Sequence, residues 1–158
     1  MKIRFIRASS LVLLALGALL SPAYAGDSIY GKVTEVRSAD VVVLDYGAGR
    51  YIVHIVGIEV PKEGRTATAA KQFVTKLLLG KNARMFLQAR KESGEIEARL
   101  QTDDPEIGLK DVGRELIKFG LVRRQQGEDT QFGYKYRELS TAEREAQDAK
   151  RGVWAAAQ

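Results

Sequence analysis

Two runs of β-branched and aliphatic residues on either side of a glycine-rich turn constrain the fold of this chain most. Residues 41–44 and 51–58 are rich in Val and Ile, and Gly47-Ala48-Gly49 lies between them. Such residues favour strands, and glycines at this spacing are typical of a hairpin loop. Residues 30–37 alternate apolar and polar side chains just before, so we predict three adjacent antiparallel strands.

Helical spacing begins after the third strand. We predict a helix over residues 66–79, with Thr66 or Thr68 as N-cap and Gly80 at its C-terminal end. Its apolar face carries Ala70, Phe73, Val74, Leu77 and Leu78.

Two more strands and two more helices follow. Residues 83–89 and 96–101 return to strand alternation around a Ser93-Gly94 turn. Residues 111–119 form a second helix that stops at Gly120, because glycine readily adopts the left-handed conformation that ends helices.

The last helix covers about residues 132–151 and ends before Gly152. Its start is open, because Ser140-Thr141-Ala142-Glu143 fits a capping box inside that range. We expect Trp154, the only tryptophan, to anchor the end of this helix in the core.

This order of elements fits an α+β domain that is mainly β: a five-stranded OB-fold barrel with about three packed helices. The chain has no cysteine, so no disulfide can stabilise the domain. Stability must therefore come from packing.

The N-terminus has the features of a secretory signal peptide. Three basic residues among the first seven precede an apolar core over residues 11–20, and Ala23-Tyr24-Ala25 is a small-x-small cleavage site. We expect residues 1–25 to be removed, leaving residues 26–158 as one monomeric domain without a membrane span, periplasmic or secreted. Loss of the three basic residues lowers the formal net charge from +5 to +2, which does not by itself indicate a nucleic-acid partner.

Two sets of residues carry motifs that occur together in one family. They are residues 36–62, VRSADVVVLDYGAGRYIVHIVGIEVPK, and the C-terminal set Gly120-Leu121, Glu143, Ala146, Gly152 and Trp154. The first resembles the active-site segment of the staphylococcal nuclease, or thermonuclease, family, and the spacing of the second resembles the C-terminal signature of that family. The similarity covers nearly all of residues 28–154 and implies an SNase-like fold and calcium-dependent phosphodiester hydrolysis.

In that family an aspartate after the first turn and an Arg-x4-Asp-Thr-Pro-Glu run supply metal ligands, a phosphate-binding guanidinium and the catalytic carboxylate. By this resemblance Asp40 and Glu59 match calcium ligands, His54 and Glu95 match two arginines, and Lys62 matches the catalytic carboxylate. Glu59 is one methylene longer than aspartate, which implies weak Ca²⁺ binding. For Asp40, a structural role in the turn is an equal alternative.

The three substituted catalytic positions disfavour catalysis. The His54 imidazole lacks the bidentate fork of guanidinium, and a lone histidine in an apolar strand also fits a structural role. A protonated Lys62 cannot act as a base, and loss of a base typically costs about 100- to 10,000-fold in rate. Glu95 repels phosphate. Glu63 beside Lys62, and Arg99 on the same strand face as Glu95, are alternative sources of the missing groups.

In the family, the position of Lys62 carries a carboxylate and that of Glu95 an arginine, so both charges are reversed in this chain. The two positions are expected to face one pocket. A salt bridge across the cleft is one interpretation, and two unrelated surface charges are the other.

Two functions remain. The first is an exported, catalytically impaired OB-fold module that binds an acidic polymer, a nucleic acid or a protein partner; the second is a weak Ca²⁺-dependent nuclease. We favour the first, because the losses of catalytic rate from three substitutions in one catalytic set should accumulate. Tyr46 and Tyr51 could stack on bases. Basic residues that could contact phosphate are Lys71, Lys76, Lys81, Arg84, Arg123 and Arg124.

Overall fold

The computed structural model describes residues 28–126 and 134–155; the predicted signal peptide lies outside these residues. Seven strands are described, β1 (Ser28–Val36), β2 (Val41–Asp45), β3 (Arg50–Ile55), β4 (Ile58–Glu59), β5 (Asn82–Arg90), β6 (Ile96–Thr102) and β7 (Arg123–Arg124). The helices are α1 (Arg65–Leu78), α2 (Val112–Lys118) and α3 (Tyr134–Asp148), followed by a 3₁₀ turn over Gly152–Trp154. None of the described helices is long and apolar enough to cross a membrane.

Five strands close into a barrel in the order β1-β2-β3-β6-β5, which confirms the predicted fold class. The meander β1-β2-β3 and the hairpin β5-β6 are antiparallel, as predicted. The barrel closes through a parallel pairing of β3 with β6, in which His54 is opposite Glu97.

The alternation within the strands fills the barrel. On β6, Ile96, Ala98 and Leu100 are buried, while Glu97 and Arg99 point outward and are partly exposed. On the other elements the same alternation and the apolar helix faces bury a single core, to which a fully buried Leu or Val contributes about 1.5 to 3 kcal/mol. The outward face of β6 is thereby left for polar side chains.

The third strand ends earlier than the sequence predicts. It stops at Ile55, because Gly57 adopts φ +81° and turns the chain. Ile58 and Glu59 then pair with Arg124 and Arg123 in a separate two-stranded sheet. This change of direction determines where Glu59 and the residues after it lie.

The ends of α1 differ in part from the prediction. The helix begins at Arg65 with Gly64 as N-cap, so the assignment of Thr66 or Thr68 as N-cap is wrong. The hydroxyl of Thr68 instead donates to the carbonyl of Gly64, at 3.3 Å. Gly80 has φ +78° and ends the helix as predicted.

The second helix has the predicted position. Asp111 is its N-cap and accepts a hydrogen bond from the backbone N–H of Arg114 at 2.9 Å, and Gly120 has φ +66°.

The last helix differs more. Ser140 and Thr141 lie within α3, and the Thr141 hydroxyl donates to the carbonyl of Arg137 at 2.8 Å, so the capping-box assignment is wrong. The helix ends at Asp148, before the predicted residue 151.

Trp154 is half-buried and lies outside the core, contrary to the prediction. The 3₁₀ turn places its ring beneath the guanidinium of Arg123, 4.8 Å from the ring centroid.

A buried ion pair connects α3 to the barrel side of the domain. Glu143 accepts from the backbone N–H of Arg124 at 3.0 Å and from its Nε at 3.3 Å, and both residues are buried. Arg124 is therefore not a surface phosphate contact, contrary to the prediction from sequence.

Two glycines bring the end of α2 against the C-terminal turn. Gly120 and Gly152 both have positive φ, and the N–H of Val153 donates to the carbonyl of Gly120 at 2.8 Å. A Cβ at Gly120 would overlap the carbonyl of Arg151, and one at Gly152 would overlap the carbonyl of Gly120. Only glycine fits this approach at both positions.

Candidate functional site

A cleft of about 360 Å³ opens at one end of the barrel. The turn between β1 and β2 contributes Asp40, the end of β3 contributes His54, and β6 contributes Glu97. Lys91, just after β5, completes the charged lining. The parallel pairing of β3 with β6 is what places His54 beside Glu97.

His54 contacts the carboxylate of Glu95 beside this cleft. The distance from His54 Nε2 to Glu95 Oε2 is 3.0 Å, and their side chains are 27% and 34% exposed. The hairpin between β5 and β6 holds Glu95, whose carbonyl accepts from the N–H of Lys91 at 2.8 Å. The two positions predicted to match family arginines are therefore together, as an imidazole and a carboxylate.

Asp40 has the structural role in the turn, one of the two alternatives from the sequence. Its Oδ1 accepts from the Ser38 hydroxyl at 2.6 Å, and its carbonyl accepts from the N–H of Ile55 at 2.7 Å, so it fixes the turn. Its side chain also lines the cleft.

Several polar residues of the cleft were missed by the sequence interpretation. Glu97 pairs with Lys91 at 3.5 Å, and the amide side chains of Gln88 and Gln125 are also part of the lining. Glu97 could have been found, because it is two residues from Glu95 and strand residues at that spacing share a face. Gln125 follows a two-residue strand that the sequence pattern did not predict.

Arg99 does not supply the missing guanidinium to this cleft. Its Nε lies 3.6 Å from Asp111 Oδ2, and its guanidinium stacks on the ring of Phe86, 4.3 Å from the centroid. Glu95 precedes β6, whereas Arg99 lies within it, and Asp111, the N-cap of α2, binds the Arg99 side chain.

The family model for staphylococcal nuclease homologues matches residues 52–156, about two-thirds of the chain. The chain belongs to the staphylococcal nuclease homologue family. The matched segment includes His54, Glu59, Lys62 and Glu95, whereas Asp40 precedes it. A comparison with curated proteins gave no match.

The side chains of this staphylococcal nuclease homologue do not fit a calcium ion well. Asp40 lines the cleft, whereas Glu59 lines a different cavity with Arg123. Within residues 28–126 and 134–155, no three His, Cys, Asp or Glu side chains are grouped so that they could hold a metal ion. Ca²⁺ binding by Asp40 and Glu59 stays a prediction.

Lys62 also lies away from the cleft. It lines a depression of about 420 Å³ at the start of α1, together with Arg37, Glu63 and Lys71. The interpretation of Lys62 and Glu95 as a salt bridge across one pocket is wrong, because Glu95 contacts His54 instead. Glu63 shares the depression of Lys62, so it too is absent from the cleft lining.

The two tyrosines that could stack on bases stack on each other. Their ring centroids are 4.5 Å apart with an interplanar angle of 1°, and Arg90 lies over Tyr51 at 5.4 Å. A hydrogen bond between the two hydroxyls raises the pKa of Tyr46 and lowers that of Tyr51, where Arg90 contributes as well.

The remaining basic candidates differ in availability. Arg84 lies over the ring of Tyr30 at 4.6 Å, and Lys81 pairs with Asp104 at 3.3 Å. Lys71 and Lys76 on α1 are exposed. Arg123 is exposed too, with its guanidinium over the ring of Trp154, so these three residues are the candidates from the sequence that remain accessible to an anionic partner.

Proposed function

We propose that this protein is an exported SNase-family domain that binds an acidic partner and does not hydrolyse phosphodiesters. The contact between His54 and Glu95 carries the proposal, because it puts a carboxylate where hydrolysis needs a cation. Export is inferred from the N-terminal sequence pattern alone.

The charge of the cleft opposes phosphate binding. Asp40, Glu95 and Glu97 supply three carboxylates in or beside it, against the single ammonium of Lys91, which is paired with Glu97. A phosphate charge 4 Å from an unpaired carboxylate is repelled by about 1 kcal/mol in water and about 4 kcal/mol near a protein surface. Phosphoryl transition states carry extra negative charge, so their repulsion exceeds that of the substrate.

The depression at the start of α1 is the better surface for an acidic partner. Lys62 and Lys71 line it, against one carboxylate from Glu63, while a third lining cation, Arg37, pairs with Glu35 at 3.3 Å. Lys62 and Lys71 are exposed, and neither forms an ion pair within the described part of the chain. Binding here should be weak and sensitive to salt, with log K falling against log salt at a slope near −2 for about three phosphate contacts on a single strand.

The test uses the purified protein that begins at Gly26. We expect no Ca²⁺-stimulated cleavage of single-stranded DNA or RNA, and weak binding of a labelled single-stranded oligonucleotide or polyglutamate. Lys62→Glu with Lys71→Glu should abolish that binding, whereas Lys32→Glu, on an exposed position of β1, should change it little. Ca²⁺-dependent cleavage that Asp40→Ala abolishes would overturn the proposal in favour of the weak nuclease. Failure of both polyanions to bind would overturn the assignment of an acidic partner.

A further inference from the structure

An apolar groove lies at the opposite end of the β5-β6 hairpin from the cleft. Lys81, just before β5, lines the groove, and Lys91, just after β5, lines the cleft. Because an extended strand rises roughly 3.3 Å per residue, the nine residues of β5 separate the two sites by roughly 30 Å.

The groove has a volume of about 290 Å³ and an apolar lining. Phe73 and Leu77 from α1 form one wall, and Ile107 and Phe119 form the other. The rings of Phe73 and Phe119 are 5.3 Å apart, yet Phe119 remains 46% exposed. Leu109, close to Ile107 in sequence, is 60% exposed. Clustered exposed apolar residues of this kind mark interaction sites.

The loop that carries Ile107 is held in place. Asp104 Oδ1 accepts from the backbone N–H of Glu106 at 2.8 Å and of Ile107 at 3.4 Å, and Thr102 bonds to Gly108 and Lys110. The wall is therefore formed before any partner arrives, which reduces the ordering cost of binding.

The rim of the groove has an excess of unpaired positive charge. Lys81 is neutralised by Asp104 at 3.3 Å, and Glu115 by Arg114 at 3.2 Å. Lys76 and Lys110 are exposed and form no ion pair in the segments that the structure describes. Two unpaired ammonium groups thus lie beside an apolar pocket.

We propose that this groove binds a short acidic, amphipathic segment of a partner protein. Apolar side chains of that segment pack against Leu77, Ile107 and the exposed part of Phe119, and its carboxylates contact Lys76 and Lys110. This proposal rests on the proposed function in taking the partner to be acidic.

The lining favours a peptide over a nucleic acid. Leu77 and Ile107 are aliphatic and offer no flat ring on which a base could stack, whereas apolar side chains of a peptide can pack against both. A buried apolar anchor flanked by charges at the rim is the usual anatomy of a protein interface.

A random 12-residue peptide display library, selected on the whole protein, tests the proposal. The enriched sequences should carry at least two Asp or Glu residues around an aromatic or aliphatic residue. Labelled copies of those peptides should bind about tenfold or more weakly to Lys76→Glu/Lys110→Glu and to Phe119→Ser. The matched controls are Lys32→Glu, an exposed lysine of β1 outside the groove, and Leu87→Ser, an exposed leucine on β5; both should bind like the wild type.

Other outcomes are informative. Enriched peptides without net negative charge, no enrichment at all, or binding that ignores the groove variants would each overturn the proposal. The double lysine variant changes only exposed side chains, so the test does not depend on whether Phe119→Ser folds. Preferential binding of oligonucleotides over peptides at Lys76 and Lys110 would identify a nucleic-acid site instead. The nuclease assay tests the proposed function separately, because its readout does not involve this groove.

Discussion

His54 and Glu95 are 41 residues apart in the chain and 3.0 Å apart in the structure, with Nε2 of the imidazole against Oε2 of the carboxylate. The resemblance to the nuclease family implies an arginine at each position. In this chain the two arginines are therefore replaced by an imidazole and a carboxylate that contact each other. A phosphate entering the cleft would be repelled by the Glu95 carboxylate, and the His54 side chain would occupy part of the space that it needs.

Replacing both residues should convert the cleft to an anion site. We expect His54→Arg with Glu95→Arg to bind pyrophosphate about 30-fold more tightly at low salt, because two changed contacts of about 1 kcal/mol each amount to about 2 kcal/mol. Isothermal titration at low and high salt measures this gain and its screening. Glu145→Arg with Gln147→Arg, on exposed positions of α3, makes the same change in net charge away from the cleft. An equal gain in pyrophosphate affinity in that control would show that the net charge of the protein, and not the cleft, determines binding.

Hydrolysis should not return in the cleft variant. Adding Lys62→Glu supplies no base there, because Lys62 lines the depression beside α1. A gel assay of single-stranded DNA with Ca²⁺ checks the triple variant, and metal-dependent cleavage would show that this segment can reach the cleft.

Loss of the buried carboxylate at Glu143 should be severe. Glu143→Ala removes the α3 carboxylate that pairs with the buried Arg124, and breaking a buried pair typically costs about 3 to 5 kcal/mol. Urea unfolding followed by the fluorescence of Trp154, the only tryptophan, measures the change. Glu145→Ala, exposed on the same helix, should stay within about 0.5 kcal/mol of the wild type. A similar small loss for Glu143→Ala would argue that Arg124 is readily solvated.

Asp104 should make stability depend on pH in the acid range. The backbone N–H of Glu106 and the Lys81 ammonium lower its pKa from the ordinary value of 3.8. The folded state thus favours the carboxylate, so its contribution is present at neutral pH and is lost as the pH falls through the lowered pKa. Asp104→Asn should be less stable than the wild type at neutral pH, and the difference should narrow below pH 3.8.

Unfolding curves at several pH values measure this narrowing. Asp148→Asn, at the exposed end of α3, is the control and should follow the wild type. If the difference in stability between Asp104→Asn and the wild type stays the same at acidic pH, the substitution acts through the shape of the loop and not through charge.

Alanine substitutions at two glycines can separate the energetic cost of a positive φ from the cost of steric overlap. Gly47 has φ +86°, and no atom lies within 4 Å of the point that a Cβ would occupy, so Gly47→Ala should cost only about 1 to 2 kcal/mol for the backbone. Gly120→Ala adds overlap with the carbonyl of Arg151 and should cost more than Gly47→Ala. Equal losses in urea unfolding would mean that the C-terminal turn moves away at little cost.

Local pattern predicted much of this fold. The five barrel strands and the end of α1 at Gly80 follow from alternation and from glycine, because those signals depend on near neighbours. The face shared by Glu97 and Arg99 also follows from strand geometry.

The candidate site was harder to predict because it depends on distant pairings. The turn at Gly57 sends Glu59 to pair with Arg123, a strand partner 64 residues later, and this removes Glu59 from the lining of the cleft. Arg99 lies on β6 as predicted, but its pairing with Asp111 depends on how α2 packs on β6. Neither partner is visible in the periodicity of a single segment.

The approach of Gly120 to Gly152 has a consequence for how the sequence of this family is read. The Gly-Leu after α2 and the Gly-x-Trp near the C-terminus look like two independent motifs, yet their glycines form one point of contact. A side chain at either glycine would meet the backbone around the other, so the two positions are constrained jointly. The two motifs therefore reflect one tertiary contact, and finding both in a chain is not evidence from two independent features.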